Sequence, residues 1–421
     1  MTDAFSYIDG VLHCEDVALP AIAEAVGTPV YVYSTAYFRH QARAFRDGLK
    51  GLGKVHLAYA IKANPNLAVL RVLADEGYGA DVVSGGEMAR ALAAGMPASD
   101  IVFSGVGKTR RELTKGLDAG IGQFNLELEE EGVVLAGLAA ARGMRAPAVL
   151  RVNPDVDAGT HAKISTGKAD NKFGVPIDQA PAMFARLAAL DGLDLKGVAI
   201  HIGSQLSDLS RLEAAFAKIG ALVATLRGEG HRITRVDLGG GLGVPYKAGD
   251  VLPSPADYGA MVARATRGWD VELMFEPGRL IAGNAGVLLT EVIWVKPGVN
   301  DPYVIVDAAM NDLARPALYD AWHDFAAVEP SGATMHANIA GPVCESGDTF
   351  AMGREIDAVK SGDLAVFKTA GAYGATMAST YNSRDLVPEV LVDGDRYAVV
   401  ADRIAAETIL AAERVPEWLT R

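Results

Sequence analysis

Cysteine is nearly missing from this chain: among 421 residues there are two, Cys14 and Cys344, far apart in sequence. That excludes a disulfide framework and leads us to expect a reducing compartment. Neither has neighbours at metal-ligand spacing, so no metal is expected. Long apolar runs are missing too; nowhere do about 18 consecutive apolar residues occur, as a membrane-spanning helix requires. The opening Met1-Thr2-Asp3-Ala4-Phe5 shows no basic stretch followed by an apolar run, so the expectation is a soluble, cytoplasmic protein. Positive charge is in deficit: 39 Lys and Arg stand against 52 Asp and Glu, a formal charge of −13. Such a surface repels a phosphate backbone, and nucleic acid is not expected as a partner. Low-complexity segments are absent, and with 50% apolar and 22% charged residues the composition is that of a folded chain.

What is present is a regular alternation. After a strand at Pro29–Tyr33 and a helix over about 35–49, β-type runs recur at Val55–Lys62, Ala80–Ser84, Ile101–Ser104, Gln123–Glu127, Ala148–Asn153, Gly197–Ser204, Arg235–Gly239 and Val271–Glu276. Stretches of helical period separate them, and eight such units over about 250 residues predict an α/β fold built on a (β/α)8 barrel. A doubly wound dinucleotide-binding sheet would carry G-x-G-x-x-G after a strand. Starting at Gly239 or Gly241, the third glycine position falls on Val244 or Tyr246, so that fingerprint fails. A phosphate-binding P-loop ending at Gly107-Lys108-Thr109 fails as well, because Val102 occupies its first glycine position. Past Gly283 the helical alternation stops, and β-runs appear at Gly286–Lys296, Tyr303–Asp307, Thr334–Ala340, Leu364–Thr369 and Val390–Val392. With a hairpin over Ser6–Cys14, they predict a mostly antiparallel β domain made of 1–26 and 281–421, against a barrel of 27–280.

Active sites of such barrels form at the C-terminal ends of the strands. The first strand ends Ala58-Tyr59-Ala60-Ile61-Lys62-Ala63-Asn64, placing a lysine at the end of an apolar run. From this strand alone a lysine snorkelling to solvent is the simpler reading; a partly desolvated one is a good Schiff-base amine. The seventh strand runs into Asp237-Leu238-Gly239-Gly240-Gly241, where backbone N–H groups can approach an anion without side chains between. The eighth ends Phe275-Glu276-Pro277-Gly278-Arg279, a carboxylate and a guanidinium at the same rim, and the sixth ends His201-Ile202-Gly203-Ser204-Gln205. A phosphate cradle, an amine, an imidazole able to stack on a flat ring and a carboxylate for a ring nitrogen together match the needs of pyridoxal 5'-phosphate (PLP).

These segments resemble the alanine-racemase-fold PLP-dependent decarboxylases along nearly the whole chain. Three more narrow the resemblance to the branch acting on meso-2,6-diaminopimelate: His161–Gly167 with Lys172-Phe173-Gly174, then Cys344-Glu345-Ser346-Gly347-Asp348, then Gly371-Ala372-Tyr373-Gly374. The resemblance implies a carbon-carbon lyase of lysine biosynthesis and assigns residues by match. Lys62 would carry PLP and His201 stack on it; Ser204, Gly240, Gly278 and Arg279 with Tyr373 would hold the phosphate; Glu276 would contact the pyridine nitrogen. Arg279, Arg315 and Tyr319 would bind the retained carboxylate and Glu345 the distal ammonium, with Tyr373 lining the substrate. Cys344 would deliver the proton replacing carbon dioxide, reaching the site from the second subunit of a homodimer. One departure is visible: Ala162-Lys163 stand where the family has a Pro-Tyr pair or near variant, which bears on local loop contacts.

Other readings stay open at this point. Sibling decarboxylases of ornithine, lysine, arginine or carboxynorspermidine share the lysine, histidine and glycines, but a far end bearing only an ammonium calls for acids without paired arginines. A racemase needs a second base on the opposite face, and none stands out. A regulator that lost the cofactor would not need Lys62, and a single-barrel PLP carrier would not need the C-terminal β domain.

Overall fold

In the computed structural model, which describes residues 4–157 and 171–419, the chain divides into two compact units. One comprises 39–245 and 249–281, the other 1–38, 246–248 and 282–421.

The first unit is the barrel. Its eight strands are Val55–Ala60, Gly79–Val82, Ile101–Phe103, Gln123–Leu126, Ala146–Asn153, Leu193–Ala199, Arg235–Asp237 and Glu272–Phe275. Each pairs in parallel with the next, and the last returns to the first through Leu273↔Val55, so the sheet closes without an edge. The eight predicted runs are therefore all present. The helices between them start where side chains satisfy orphan backbone donors. Thr109 and Glu112 form a reciprocal capping box for Arg110–Ala119, as Ser254 and Asp257 do for Pro255–Ala265. Inside the barrel Ala58, Val102 and Met274 make an apolar layer. Gln123 touches the Met274 sulfur at 3.5 Å and turns its amide to Asn125 and Asp237, so a buried polar layer lies directly on the apolar one.

The second unit is a mixed sheet. Its central strand Gly286–Lys296 pairs antiparallel with Val30–Ser34, Leu364–Phe367 and Tyr303–Val306. Thr334–Ala340 runs parallel to Tyr303–Val306, and Glu389–Asp393 parallel to Val30–Ser34, while Phe5–Ile8 and Val11–Cys14 form the expected hairpin. Val30, Val32, Val287, Leu289, Val366 and Val390 supply a core on one face, taking alternate positions along their strands. Cys14 is buried there, and both cysteines are free. No helix among the described residues is long and apolar enough to cross a membrane.

One packing contact in the barrel unit is unusually close. A Cβ on Gly259, in the Pro255–Ala265 helix, would lie 1.8 Å from the carbonyl oxygen of Gly48, at the end of the Thr35–Gly48 helix. Backbone cannot yield as a side chain does. We expect Gly259→Ala to lower unfolding stability by about 1–3 kcal/mol, the usual cost of overpacking. Urea denaturation followed by circular dichroism measures it, and an unchanged midpoint would contradict so tight a contact.

Candidate active site

Lys62 lies in a single helical turn, Ile61–Ala63, directly after the first strand. Its Nζ is 2.5 Å from Oδ2 of Asp81, a fully buried residue of the second strand. Burial works to raise the Asp81 carboxyl, but the adjacent Lys62 ammonium outweighs it and leaves the group below the ordinary range. The lysine is thus held at the strand end by a charge partner and is not a stem lying loose on the rim.

His201 follows the sixth strand and accepts a hydrogen bond at Nδ1 from the Gly240 N–H, 3.3 Å away. An accepting Nδ1 means a neutral ring. Desolvation, then the positive charges of Arg151 and Lys62, push this histidine down to about 3. The glycines after the seventh strand leave no room for side chains: a Cβ would lie 2.4 Å from Ile200 O at Gly239, 2.2 Å from Glu276 O at Gly240 and 2.7 Å from Gly203 O at Gly241. Gly239 and Gly241 also have positive φ, so both close approach and backbone conformation require glycine here. Ser204 Oγ accepts from Arg279 Nε at 3.3 Å, and Gly278 packs its Cα against Ala60 and Ala63.

Glu276 is buried, and its Oε1 has no hydrogen-bond partner. Burial and the neighbouring carboxylates of Asp237 and Asp81 push its carboxyl well up. Lys62, His201, Ser204, Gly240, Glu276, Gly278 and Arg279 thus all follow C-terminal strand ends of one parallel barrel, and therefore share one end of it.

The other sequence-predicted residues lie in the β unit. Arg315 is buried at the start of a short helix, Arg315–Tyr319. Its Nη1 donates to His323 Nε2 at 2.8 Å, which fixes the histidine tautomer so that Nδ1–H donates to the Lys368 carbonyl. The guanidinium lies 4.7 Å over the Tyr246 ring. Tyr319 is half-buried in the last turn of the same helix. Cys344 and Glu345 are exposed on a loop that Asp348 shapes by accepting the N–H groups of Met310 and Val343, each at 2.7 Å. Tyr373 has φ of +58°, a left-handed conformation uncommon without glycine.

Residues 36–283 match the family model for the pyridoxal binding domain of pyridoxal-dependent decarboxylases. Over 420 residues, covering 99% of both chains, this chain is 51% identical to the diaminopimelate decarboxylase of Zymomonas mobilis; to that of Pseudomonas fluorescens it is 50% identical over 97% of this chain and 99% of the relative. The chain belongs to the diaminopimelate decarboxylases. A crystal structure of the M. jannaschii enzyme in co-complex with L-lysine superposes with a TM-score of 0.95 at 34% identity, covering 99% of both chains.

The family's cofactor is PLP, and the barrel end fits it. Glu276 offers an unpartnered buried oxygen to a protonated ring nitrogen, and the Gly239–Gly241 turn, which carries no side chain, lies at the same barrel end. The sequence motif His161–Gly167, with Ala162-Lys163, lies outside the described residues. Its companion does not: Phe173 lies 4.9 Å beneath the Arg151 guanidinium, and Gly174 N–H donates to Glu127, which pairs with Arg151 at 2.8 Å. The rejected P-loop lysine, Lys108, is buried in an ion pair with Glu131 and serves the structure. The sequence reading did not single out Asp81, Asp237 or His323. The available signal for the first two was an acid inside a barrel-strand run.

The neutral His201 has a consequence for stability. An unfolded histidine binds its proton near pH 6.5, whereas the folded one does so only near 3. The unfolded state therefore holds more protons between these values, and the contribution of the neutral ring is complete above about pH 6.5 and is lost as pH falls toward 3. In cofactor-stripped protein, urea midpoints measured from pH 7 to pH 4 should fall more steeply for wild type than for His201→Gln. Equal slopes would mean that the ring is not held neutral.

Proposed function

We propose that this chain converts meso-2,6-diaminopimelate to L-lysine and carbon dioxide, the last step of lysine biosynthesis, with the site residues in the following roles. The observation that carries the reading is the constellation of Lys62 on Asp81, the glycine cradle and the unpartnered Glu276 oxygen in a chain half identical to diaminopimelate decarboxylases.

When bound, PLP supplies a sink for the electron pair left on the substrate Cα as its carboxylate leaves. Lys62, held at the strand end by Asp81, would hold the cofactor through its side-chain amine. His201 would meet the cofactor with a neutral ring. Ser204, Gly240, Gly278 and Arg279 would hold the phosphate, with Tyr373. Arg279, Arg315 and Tyr319 bind the carboxylate that stays, and Glu345 takes the distal ammonium. The Cα–carboxylate bond breaks, carbon dioxide departs, and the Cys344 Sγ delivers a proton to Cα. The barrel part, 27–280, holds PLP, and the β part, 1–26 and 281–421, supplies substrate and dimer contacts. The enzyme works in the cytoplasm as a homodimer whose sites combine Lys62 of one subunit with Cys344 and Glu345 of the other. Two features support this sharing: Cys344 and Glu345 are exposed in the single chain, and a symmetric dimer forms two equivalent sites at one isologous interface.

Two experiments test these assignments. Paired guanidinium–carboxylate hydrogen bonds are worth about 1.5–3 kcal/mol each, so L-lysine and L-ornithine, which lack the distal carboxylate, should be far poorer substrates than meso-diaminopimelate. Comparable kcat/KM values would replace this reading with that of a sibling decarboxylase. Mixing Lys62→Ala and Cys344→Ala proteins under subunit exchange makes half the dimers mixed, each with one intact site. Activity should then recover to roughly a quarter of wild type. No gain, with exchange confirmed by mass measurement, would disprove site sharing.

A further inference from the structure

The barrel interior holds a fourth feature that the roles above do not use. Asp237, at the end of the seventh strand, is fully buried. Its Oδ1 accepts from the Gly239 N–H at 2.9 Å, and its Oδ2 from the amides of Gln123 and Asn125 at 3.1 and 3.2 Å. Its side chain is also hydrogen-bonded to Glu276. The two carboxyl groups are thus unequally provided for. Asp237 has three donors, whereas Glu276 has an orphaned Oε1 and only another carboxyl beside it. Two adjacent buried carboxylates cannot both be ionised at modest cost, and the proton settles on the one with fewer donors.

We propose that Asp237 is a positioning residue that keeps a proton on Glu276 in the cofactor-free protein, so that the barrel presents a carboxyl already carrying the hydrogen that ends between Glu276 and the pyridine nitrogen of PLP. This rests on the reading above that Glu276 meets that nitrogen. The step is a proton transfer alone. The O–H bond of Glu276 breaks, an N–H bond forms on the ring, Glu276 becomes a carboxylate and the ring a pyridinium; no other reactant is required. Burial raises the Asp237 carboxyl as well, but its three donors hold it below Glu276, so Asp237 is the ionised member of the pair and the two negative charges behind the ring then hold the proton on nitrogen. The other ionisable groups around the pair are Asp81, paired with Lys62, and Tyr258. None of them supplies a donor to Glu276 Oε1.

Infrared difference spectroscopy of the wild-type protein, stripped of cofactor and then reloaded with PLP, reads the proton directly. A protonated-carboxyl band should be present before loading, shift in D2O, vanish on loading, and be missing from Glu276→Gln. Asp237→Asn places an amide donor where Glu276 met an acceptor, so the stripped variant should lack the band. Calorimetric titration with PLP in buffers of different ionisation enthalpy then counts protons, and the ionisation of free PLP cancels between proteins. Asp237→Asn should take up about one more proton per site than wild type. The count does not depend on turnover, and circular dichroism establishes that the variant is folded. Absence of the band in stripped wild type, or its persistence in Asp237→Asn together with an equal proton count, overturns the proposal. Borohydride reduction and peptide mapping of the loaded wild type separate the two levels of failure. Label on Lys62 with no proton difference defeats this inference alone, whereas no label on Lys62 defeats the site assignment on which it rests.

Discussion

Around Glu276 the buried carboxyl groups of Asp81, Asp237 and Glu276 itself face the Lys62 ammonium, and this local imbalance governs the remainder of the site. An isolated buried charge costs several kcal/mol, so each group must find a partner, a set of donors or a proton. Asp81 takes the ammonium and Asp237 takes three N–H donors. Glu276 is left with the proton. Each solution fixes a position. The Lys62–Asp81 pair ties the end of the first strand to the second, and the Asp237 bond to the Gly239 N–H shapes the turn whose following glycine donates to His201. Gln123 and Asn125 look ornamental in a strand sequence, yet their amides are what make an ionised Asp237 affordable in the interior.

The β unit solves its own charge problem by a different route. Arg315 is buried; it donates to a neutral imidazole and lies on the Tyr246 face. An aromatic face and a neutral acceptor both orient a guanidinium without neutralising its charge. Asp348 does the reverse work. Its two oxygens accept backbone N–H groups from Met310 and Val343, and this pins the loop on which Cys344 and Glu345 stand exposed.

Much of this was legible in the sequence because it rests on local rules. All eight barrel strands, the hairpin and the central β strands announce themselves by alternation and by the glycines between them. Lys62, His201, the triple glycine and Glu276 sit at strand ends, where the fold class alone directs attention. The strands Thr349–Asp357 and Arg396–Ala401 escaped, because the buried residues of the first, Phe350, Ala351 and Ile356, do not alternate and the second is largely exposed. Asp81, Asp237 and His323 escaped for another reason. Each matters through a partner distant in sequence: 19 residues separate Asp81 from Lys62, and 114 separate Asp237 from Gln123. A polar residue within a strand run tells nothing of its partner until the barrel is closed.

The same closure explains why His201 is neutral, and the charge on that ring bears on catalysis. In the proposed role it packs against a cofactor ring whose nitrogen carries a proton. An imidazolium there would set two cations face to face in a site of low dielectric, where their repulsion is strongest. It would also withdraw the acceptor that Gly240 uses, loosening the backbone cradle at the same stroke. Burial and the nearby Arg151 and Lys62 prevent this, holding the histidine down to about 3. The barrel therefore sorts its ionisable groups by what each must face: an acid that brings a proton to the ring nitrogen, a base kept unprotonated toward the ring plane, and an amine held on Asp81. The order follows from which strands bring donors and which do not, and a single amide or carboxylate exchanged in the polar layer would redistribute all three.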